Sequence, residues 1–327
     1  MTSDAGPRSR ESIADDDNQE ESVTVVVIAI CGLPQLGRTL DALTQQKDAP
    51  SFDIVVAADP RLGDLHELEH RFPAVRFLAE PSRLTPIELS TMGLDAATGE
   101  RILLTEDSCL PDCNWVRELV RTPWRGRGAV GGVIEPGVSA SHAMWAFCYV
   151  DFFRYMRPAT AGPMPTLSVC NVSYHRSHLD AIHELWKEGF NESEVHDALR
   201  KQFGPLYLCP TAEVSVRRNV RFGDAVYERY AFGRLFGATR VAHTTSQRRI
   251  FYAAVSPALP ALLLTRMTTS AAKSRATRVR FLKALPSIVT MVFAWSWGEW
   301  LGYITERRPK RITTAPEVPE TTTGIVN

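Results

Sequence analysis

Two acidic clusters place chemically useful side chains where a reaction needs them. Glu106 and Asp107 are adjacent carboxylates that close the apolar run beginning at Arg101, before the turn at Pro111. A strand that ends this way offers hard oxygen ligands at a sheet's C-terminal edge, where open α/β sheets bind ligands. Carboxylates there suit a divalent cation carrying phosphates. Glu192 and Glu194 follow Gly189-Phe-Asn and fall in the first turn of a helix-like stretch. A metal-dependent transfer from a nucleotide-activated donor needs one cluster for the cation and a further carboxylate as general base. Each cluster alone has a plainer explanation: a solvated strand-end turn for the first, and helix capping by Asn191 or Ser193 for the second. Together they favour the chemistry.

The elements that would position them alternate between strand and helix. Val23–Ile30 is a nearly continuous β-branched run, the pattern of a buried parallel strand. Leu36–Gln46 has helical apolar spacing, Phe52–Ala58 is a second strand, and Leu62–Phe72 is helical. Val75–Leu78 is a short strand, Thr85–Ala97 a helix closed by Gly99, and Arg101–Leu104 the fourth strand. Val130–Ile134 is a later strand, as are Pro165–Tyr174, Pro205–Cys209 and Ala212–Val216. Ser177–Lys187 and the stretch after Glu188 are helical. The series predicts an α/β fold with a doubly wound, mostly parallel sheet. No Gly-x-Gly-x-x-Gly or Walker loop follows the first strand, which argues against a conventional dinucleotide or P-loop site.

Bulk properties narrow the classes further. The chain of 327 residues holds one large domain or two modest ones, 44% of it is apolar, and its formal net charge of zero gives no reason to expect nucleic acid as a partner. Residues 1–22 are polar and acidic, which predicts a disordered tail rather than a signal peptide; residues 313–327 are a second flexible tail. The cysteines, at 31, 109, 113, 148, 170 and 209, lack zinc spacing and are expected to be reduced in the cytoplasm. Of His175, His178 and His183, only the first two would share a helix face, so a solvated helix is expected there rather than a metal site.

Four pieces in order resemble the family 2 glycosyltransferases of the GT-A fold, over Val23 to about Arg249. Val23–Ile30 with Leu36–Gln46 is similar to the family's opening strand and helix. Leu89-x3-Gly93 through Leu104 resembles the helix leading into its metal-binding strand. Thr105-Glu-Asp107 followed by Pro111 stands at its Asp-x-Asp signature, with threonine in place of the first aspartate. Asn171–Arg176 and Gly189–Glu194 resemble its acceptor-side strand and acidic helix start. The resemblance implies that Asp107 coordinates Mg2+ or Mn2+ on the donor diphosphate and that Glu106 contacts the ribose or metal-bound waters. It further implies Glu192 as catalytic base, with Glu194 and Asn171 on the acceptor side. Asp59 would read the nucleotide base, and Ala29 to Cys31 would lie under the nucleotide. His243 is too far along to complete a metal site. Gln247-Arg-Arg249 lacks the spacing and tryptophan of processive synthases, so a non-processive, hexosyltransferase-like enzyme is expected.

After the expected catalytic domain (23–245), two apolar stretches occupy 246–312. Ile250–Leu264 is broken by Pro257 and Pro260, while Ala284–Ile304 contains Trp295, Trp297, Glu299 and Trp300. A spanning helix needs about 20 apolar residues, which only the second approaches. Arg266, Lys273, Arg275, Arg278, Arg280 and Lys283 lie between them, and Arg307, Arg308, Lys310 and Arg311 follow. One span would put a basic cluster outside. The expectation is therefore amphipathic or re-entrant membrane-associated helices on anionic lipids at the cytoplasmic face, ahead of a single span at 284–304 or two buried soluble helices. The leading function is an inverting transfer from a nucleotide-sugar to a hydroxyl of a lipid or lipid-linked glycan. The alternative is a catalytically weak, membrane-bound binding or scaffold protein of the same fold. Nucleotidyl transfer is disfavoured because no triphosphate loop follows the first strand.

Overall fold

The computed structural model describes residues 21–305, apart from Arg83, Val138, Ser139, Asn219, Ala242 and His243. The N-terminal acidic run up to residue 20, the final tail, His243 and the basic cluster after residue 306 therefore lie outside the described residues.

Four parallel strands open the chain: β1 (Val23–Ala29), β2 (Phe52–Ala58), β3 (Val75–Ala79) and β4 (Arg101–Glu106). They are joined by α1 (Leu33–Thr44), α2 (His66–Arg71) and α3 (Pro86–Ala96). Then come β5 (Cys109–Pro111), α4 (Trp115–Arg121), β6 (Ala129–Pro136), α5 (His142–Phe152), β7 (Gly162–Met164) and β8 (Val172–His175). α6 (Arg176–Ala181), α7 (His183–Trp186), α8 (Glu192–Phe203) and β9 (Leu206–Val216) complete the α/β part. α9 (Phe222–Val241), α10 (Ser246–Val255), α11 (Leu259–Ala271) and α12 (Arg275–Thr305) follow. The strands form one sheet in the order β3-β2-β1-β4-β8-β6-β9-β5, with β7 paired to β9.

Every residue of β1 is buried, because helices cover both faces of the sheet. Leu36, Leu40 and Leu43 of α1 pack on one face with Trp115; Leu89 and Leu94 of α3, Trp186 and Leu199 pack on the other. α3 starts at a full capping box, in which Thr85 Oγ1 accepts the Glu88 amide and the Glu88 carboxylate accepts the Thr85 amide. Gly99 lets the chain enter β4 against the backbone of Val23 and Thr24, where a Cβ would collide.

The expected doubly wound sheet is present, with local differences. β4 runs two residues further than its apolar part, so Glu106 is its last residue. Leu62–Phe72 yields only α2, preceded by a 3-10 turn at Pro60–Leu62. The expected strand Pro165–Tyr174 is reduced to β8, because Ser168 to Asn171 close a turn (Asn171 N–H to Ser168 O, 2.9 Å). The helix at Ser177–Lys187 breaks at Ile182 into α6 and α7. The two strands after Pro205 are one, β9, with a register shift opposite Gly132 and Val133. β8 runs antiparallel to both its neighbours, β4 and β6.

The C-terminal part differs most. Phe222–Val241, for which the sequence pattern announces no element, is the 20-residue helix α9. α12 continues for 31 residues through Pro286 and lies along α9. Glycines make the contact on both sides: Gly233 and Gly237 of α9 meet the backbone of Trp295 and Glu299, and Gly298 and Gly302 of α12 meet that of Tyr230 and Arg234. Glu299 is buried and accepts hydrogen bonds from Trp295 Nε1 (2.9 Å) and the Tyr303 hydroxyl.

Candidate active site

The site is built where β1 and β4 end and β8 and α8 begin. Asp107 follows β4 directly and turns toward β1. Its Oδ2 accepts the amides of Ile30 (3.1 Å) and Cys31 (2.8 Å), and its carbonyl accepts the Thr39 hydroxyl at 3.0 Å. Its Oδ1 is buried without a hydrogen-bond partner. Loss of water pushes the carboxyl up to about 7, against the pull of the two amides. Asp107 thus fixes the β1–α1 turn and still holds one uncommitted oxygen.

Glu106 is half-buried and takes the Ser108 hydroxyl on Oε2 at 3.3 Å. Burial raises its pKa, and the Arg218 guanidinium and the Cys170 thiol oppose that rise. Thr105, at the expected position of a first acidic ligand, is fully buried and donates to the Cys170 carbonyl (2.9 Å). Glu192 is the first residue of α8, capped by Asn191, whose Oδ1 accepts the Ser193 amide at 3.2 Å. Its Oε2 accepts the Val169 amide at a long 3.4 Å. Burial, with the charge of Glu106 adding to it, lifts the Glu192 carboxyl to about 7. The charge of Glu106, 86 positions earlier in the sequence, therefore reaches Glu192.

The other expected residues fall into two groups. Ala29 ends β1 and Asp59 ends β2, linked by the Asp59 amide on the Ala29 carbonyl (3.0 Å). The Asp59 carboxylate is buried and gripped by the Arg61 guanidinium, with Nε at 2.9 Å from Oδ1 and 3.0 Å from Oδ2. The Cys31 thiol sits beside Asp107 and Glu106, and burial raises its pKa strongly. Asn171 is fully buried and all its polar side-chain atoms are engaged. Its Nδ2 donates to Val133 O (2.8 Å) and Ala212 O (3.1 Å), and its Oδ1 accepts Trp115 Nε1 (2.8 Å). It locks β6, β9 and α4 together beneath the site. Glu194 is exposed and takes the Asn191 side-chain amide at 3.1 Å, holding the helix start.

Arg218 was not anticipated. It follows β9, forms a two-pronged ion pair with Glu228 of α9 (3.1 and 2.8 Å), and lies near Glu106 and Cys31. Glu228 also pairs with Arg229, which reaches Asp151 of α5. The Arg217-Arg218 doublet directly after a terminal strand was the one available signal.

A divalent ion suits this edge by charge: the carboxylates of Glu106, Asp107 and Glu192 are all held above their ordinary range by burial. It does not suit a self-contained cage, since among the described residues no three His, Cys, Asp or Glu side chains converge to hold a metal. An ion such as Mg2+ needs only one or two carboxylates when phosphates and water complete its shell.

No family model matches the sequence and no curated relative matches it. Among solved structures, the chain is similar to the mannosyltransferase PcManGT from Pyrobaculum calidifontis, determined in complex with GDP-Man and Mn2+. The TM-score is 0.51 at 14% identity, over 86% of this chain and 88% of that one. GalNAc-T7 with UDP, GalNAc and Mn2+ matches at TM-score 0.46 and 16% identity, over 62% of this chain and 45% of its own. TarS of S. aureus matches at 0.47 and 13%, over 85% and 55%. The first likeness establishes the fold: the sheet and its helices have the GT-A arrangement.

Proposed function

We propose that this chain is an inverting glycosyltransferase that moves a sugar from a nucleotide-sugar to a hydroxyl of a lipid or lipid-linked glycan. The observation that carries the reading is Glu192 at the start of α8, buried on the Val169 amide and near enough to Glu106 to feel its charge, with its carboxyl raised to about 7 chiefly by burial. A base in that range is deprotonated often enough at neutral pH and still binds a proton well. Glu192 would take the acceptor's hydroxyl proton as that oxygen attacks the anomeric carbon and the bond to the diphosphate breaks. A single displacement inverts the centre. Glu106 and Asp107 Oδ1 would hold Mg2+ or Mn2+, which when bound supplies positive charge to the leaving diphosphate. Arg218, kept in place by Glu228, adds a fixed cation beside Glu106. Ala29 to Cys31 and Asp59 would face the nucleotide.

One observation favours the second reading, a catalytically weak scaffold of the same fold: Asp107 Oδ2 is already committed to two backbone amides. Thermal-shift screening of nucleotide-sugars with and without Mn2+, followed by measurement of nucleotide release, separates the two. A bound donor raises apparent stability. The enzyme reading expects a metal-dependent shift with one donor, weakened by Asp107→Ala, and turnover of that donor. A shift without turnover for any acceptor preparation supports the scaffold.

The C-terminal helices support attachment to the cytoplasmic leaflet. Ser246–Ala271 and Arg275–Thr305 are long and apolar enough to cross a membrane by length and composition alone. Ile250, Phe251, Leu282, Phe293 and Trp297 are each more than half exposed, and no Asp or Glu occurs between Glu228 and Glu299. Apolar side chains beside basic ones match an anionic interface. The expected result is sedimentation of the purified chain with phosphatidylglycerol vesicles that persists in 1 M salt, roughly a 3 Å screening length. Complete release by salt alone would reject an inserted apolar face.

A further inference from the structure

The run His66-Glu67-Leu68-Glu69-His70 makes up most of α2, a helix with no part in the site described above. Leu68, and Leu65 just before the helix, pack into the core beneath it. That anchoring turns both histidines outward, and residues four apart are neighbours on one helix face. Their Nε2 atoms are 3.0 Å apart, with the rings edge to face at 72°. The Asp64 carboxylate accepts the His66 amide at 2.9 Å and fixes the first turn.

Two imidazole nitrogens this close can share an ion. Zn2+ and similar ions sit about 2.0–2.1 Å from an imidazole nitrogen. A separation of 3.0 Å then subtends roughly 90–97° at the ion, the angle between neighbouring ligands in the square or tetragonal shells of Cu2+ and Ni2+. The tetrahedral shell of Zn2+ needs about 3.4 Å, a small widening for two exposed side chains. Without an ion, one ring donates to the other. With an ion, both Nε2 lone pairs face the metal, and the donor ring carries its proton on Nδ1 instead, where water accepts it.

The surroundings favour a cation. Asp64, Glu67 and Glu69 each lie within two residues of one of the histidines, while Arg71 is held by Asp41 at 2.6 Å. The order His-Glu-x-x-His also occurs in zinc peptidases, where further ligation and the glutamate activate water. Here no third protein ligand converges among the described residues, and both histidines stand on an exposed helix face. The geometry is that of a binding site, not a hydrolytic one.

We propose that His66 and His70 form a two-imidazole site for a divalent ion of the Cu2+, Ni2+ or Zn2+ class, with water in the remaining positions. Imidazole ligands set it apart from an oxygen-seeking ion such as Mg2+. The proposal does not depend on the transferase reading.

The test uses the untagged full chain in detergent, with CuCl2 and ZnCl2 as probes. Electron paramagnetic resonance of the one-to-one Cu2+ sample should show coupling to two nitrogens, reduced to one in His66→Ala and in His70→Ala. Calorimetric titration with ZnCl2 should lose ten-fold or more in affinity in each of these variants. His183→Ala should change nothing, because that imidazole lies on α7 beside Asp95. Both α2 positions are exposed, so the variants keep the fold. A second readout is local: a six-residue helix is marginal by itself, so Zn2+ should slow amide hydrogen exchange across α2, and His70→Ala should abolish that protection. Zinc affinity unchanged in both α2 variants, an equal loss in His183→Ala, exchange in α2 that ignores Zn2+, or displacement of Zn2+ by a tenfold excess of MgCl2 would overturn the assignment.

Discussion

Replacing Glu192 by glutamine is expected to lower turnover about a thousandfold while the donor still binds, as a general base contributes roughly 10²–10⁴. Glutamine keeps the shape and can still accept the Val169 amide, so α8 retains its start. The wild-type rate should rise with pH through about 7, where Glu192 and Asp107 both lose a proton, and the rise should be shallower in the variant, which keeps only the Asp107 part. Glu106 on β4 is the charged group that adds to the rise, and Tyr155 and Tyr174, which feel the Glu192 charge, stay protonated throughout. Stability supplies an independent sign. The folded-state value lies above the ordinary 4.5, so the stabilisation from binding this proton is full below 4.5 and is lost as pH rises through about 7. The glutamine variant escapes that loss and should be at least as stable as the wild type at pH 8. Urea midpoints and initial rates across pH 5.5–8.5 measure both. A variant that keeps its rate, or a pH dependence as steep as that of the wild type, removes Glu192 from the role of base.

The regions that could be read from sequence are those whose determinants are local. β1 and β4 show continuous apolar runs because both faces are covered, and Thr85 with Glu88 announces the start of α3. Glu106 and Glu192 were found because strand ends and helix starts mark themselves in sequence. Asn171 was visible as a candidate but not in its role, since its partners Val133, Ala212 and Trp115 lie on three separate elements. Arg218 escaped for a similar reason: its importance depends on Glu228, ten residues on, and on Glu106 across the sheet. α9 escaped because it has no single apolar stripe. Its first half buries Glu228 and Arg229 against Arg218 and Asp151, and its second half presents glycine to α12. A helix buried through charge pairs and bare backbone carries no periodic hydrophobic signal.

That backbone contact leads to the largest structural effect expected. Gly233 and Gly237 on one helix face Gly298 and Gly302 on the other, each pair spaced by four, and an added Cβ at any of them would fall well inside contact distance of a facing backbone carbonyl. Small residues at this spacing let helices approach closely, a geometry common where helices associate in membranes. Carbonyl groups held in their own helices cannot swing aside, so the helices themselves must separate. Gly298→Ala is expected to destabilise by about 2–3 kcal/mol, the upper part of the range for overpacking, and Gly298→Leu to prevent α12 from seating on α9. Gly223 provides the control within α9, because nothing lies within 4 Å of its Cβ position. Gly223→Ala should be neutral or gain up to about 1 kcal/mol from the helix preference of alanine over glycine. The separation also reaches the site: α9 holds Glu228, Glu228 holds Arg218, and Arg218 lies beside Glu106. Gly298→Ala should therefore weaken donor binding as well as lower the unfolding midpoint, although Gly298 is in a different part of the chain. Equal midpoints for Gly298→Ala and Gly223→Ala would show that α9 and α12 are not packed backbone to backbone, and would break the proposed link from the C-terminal helices to Arg218.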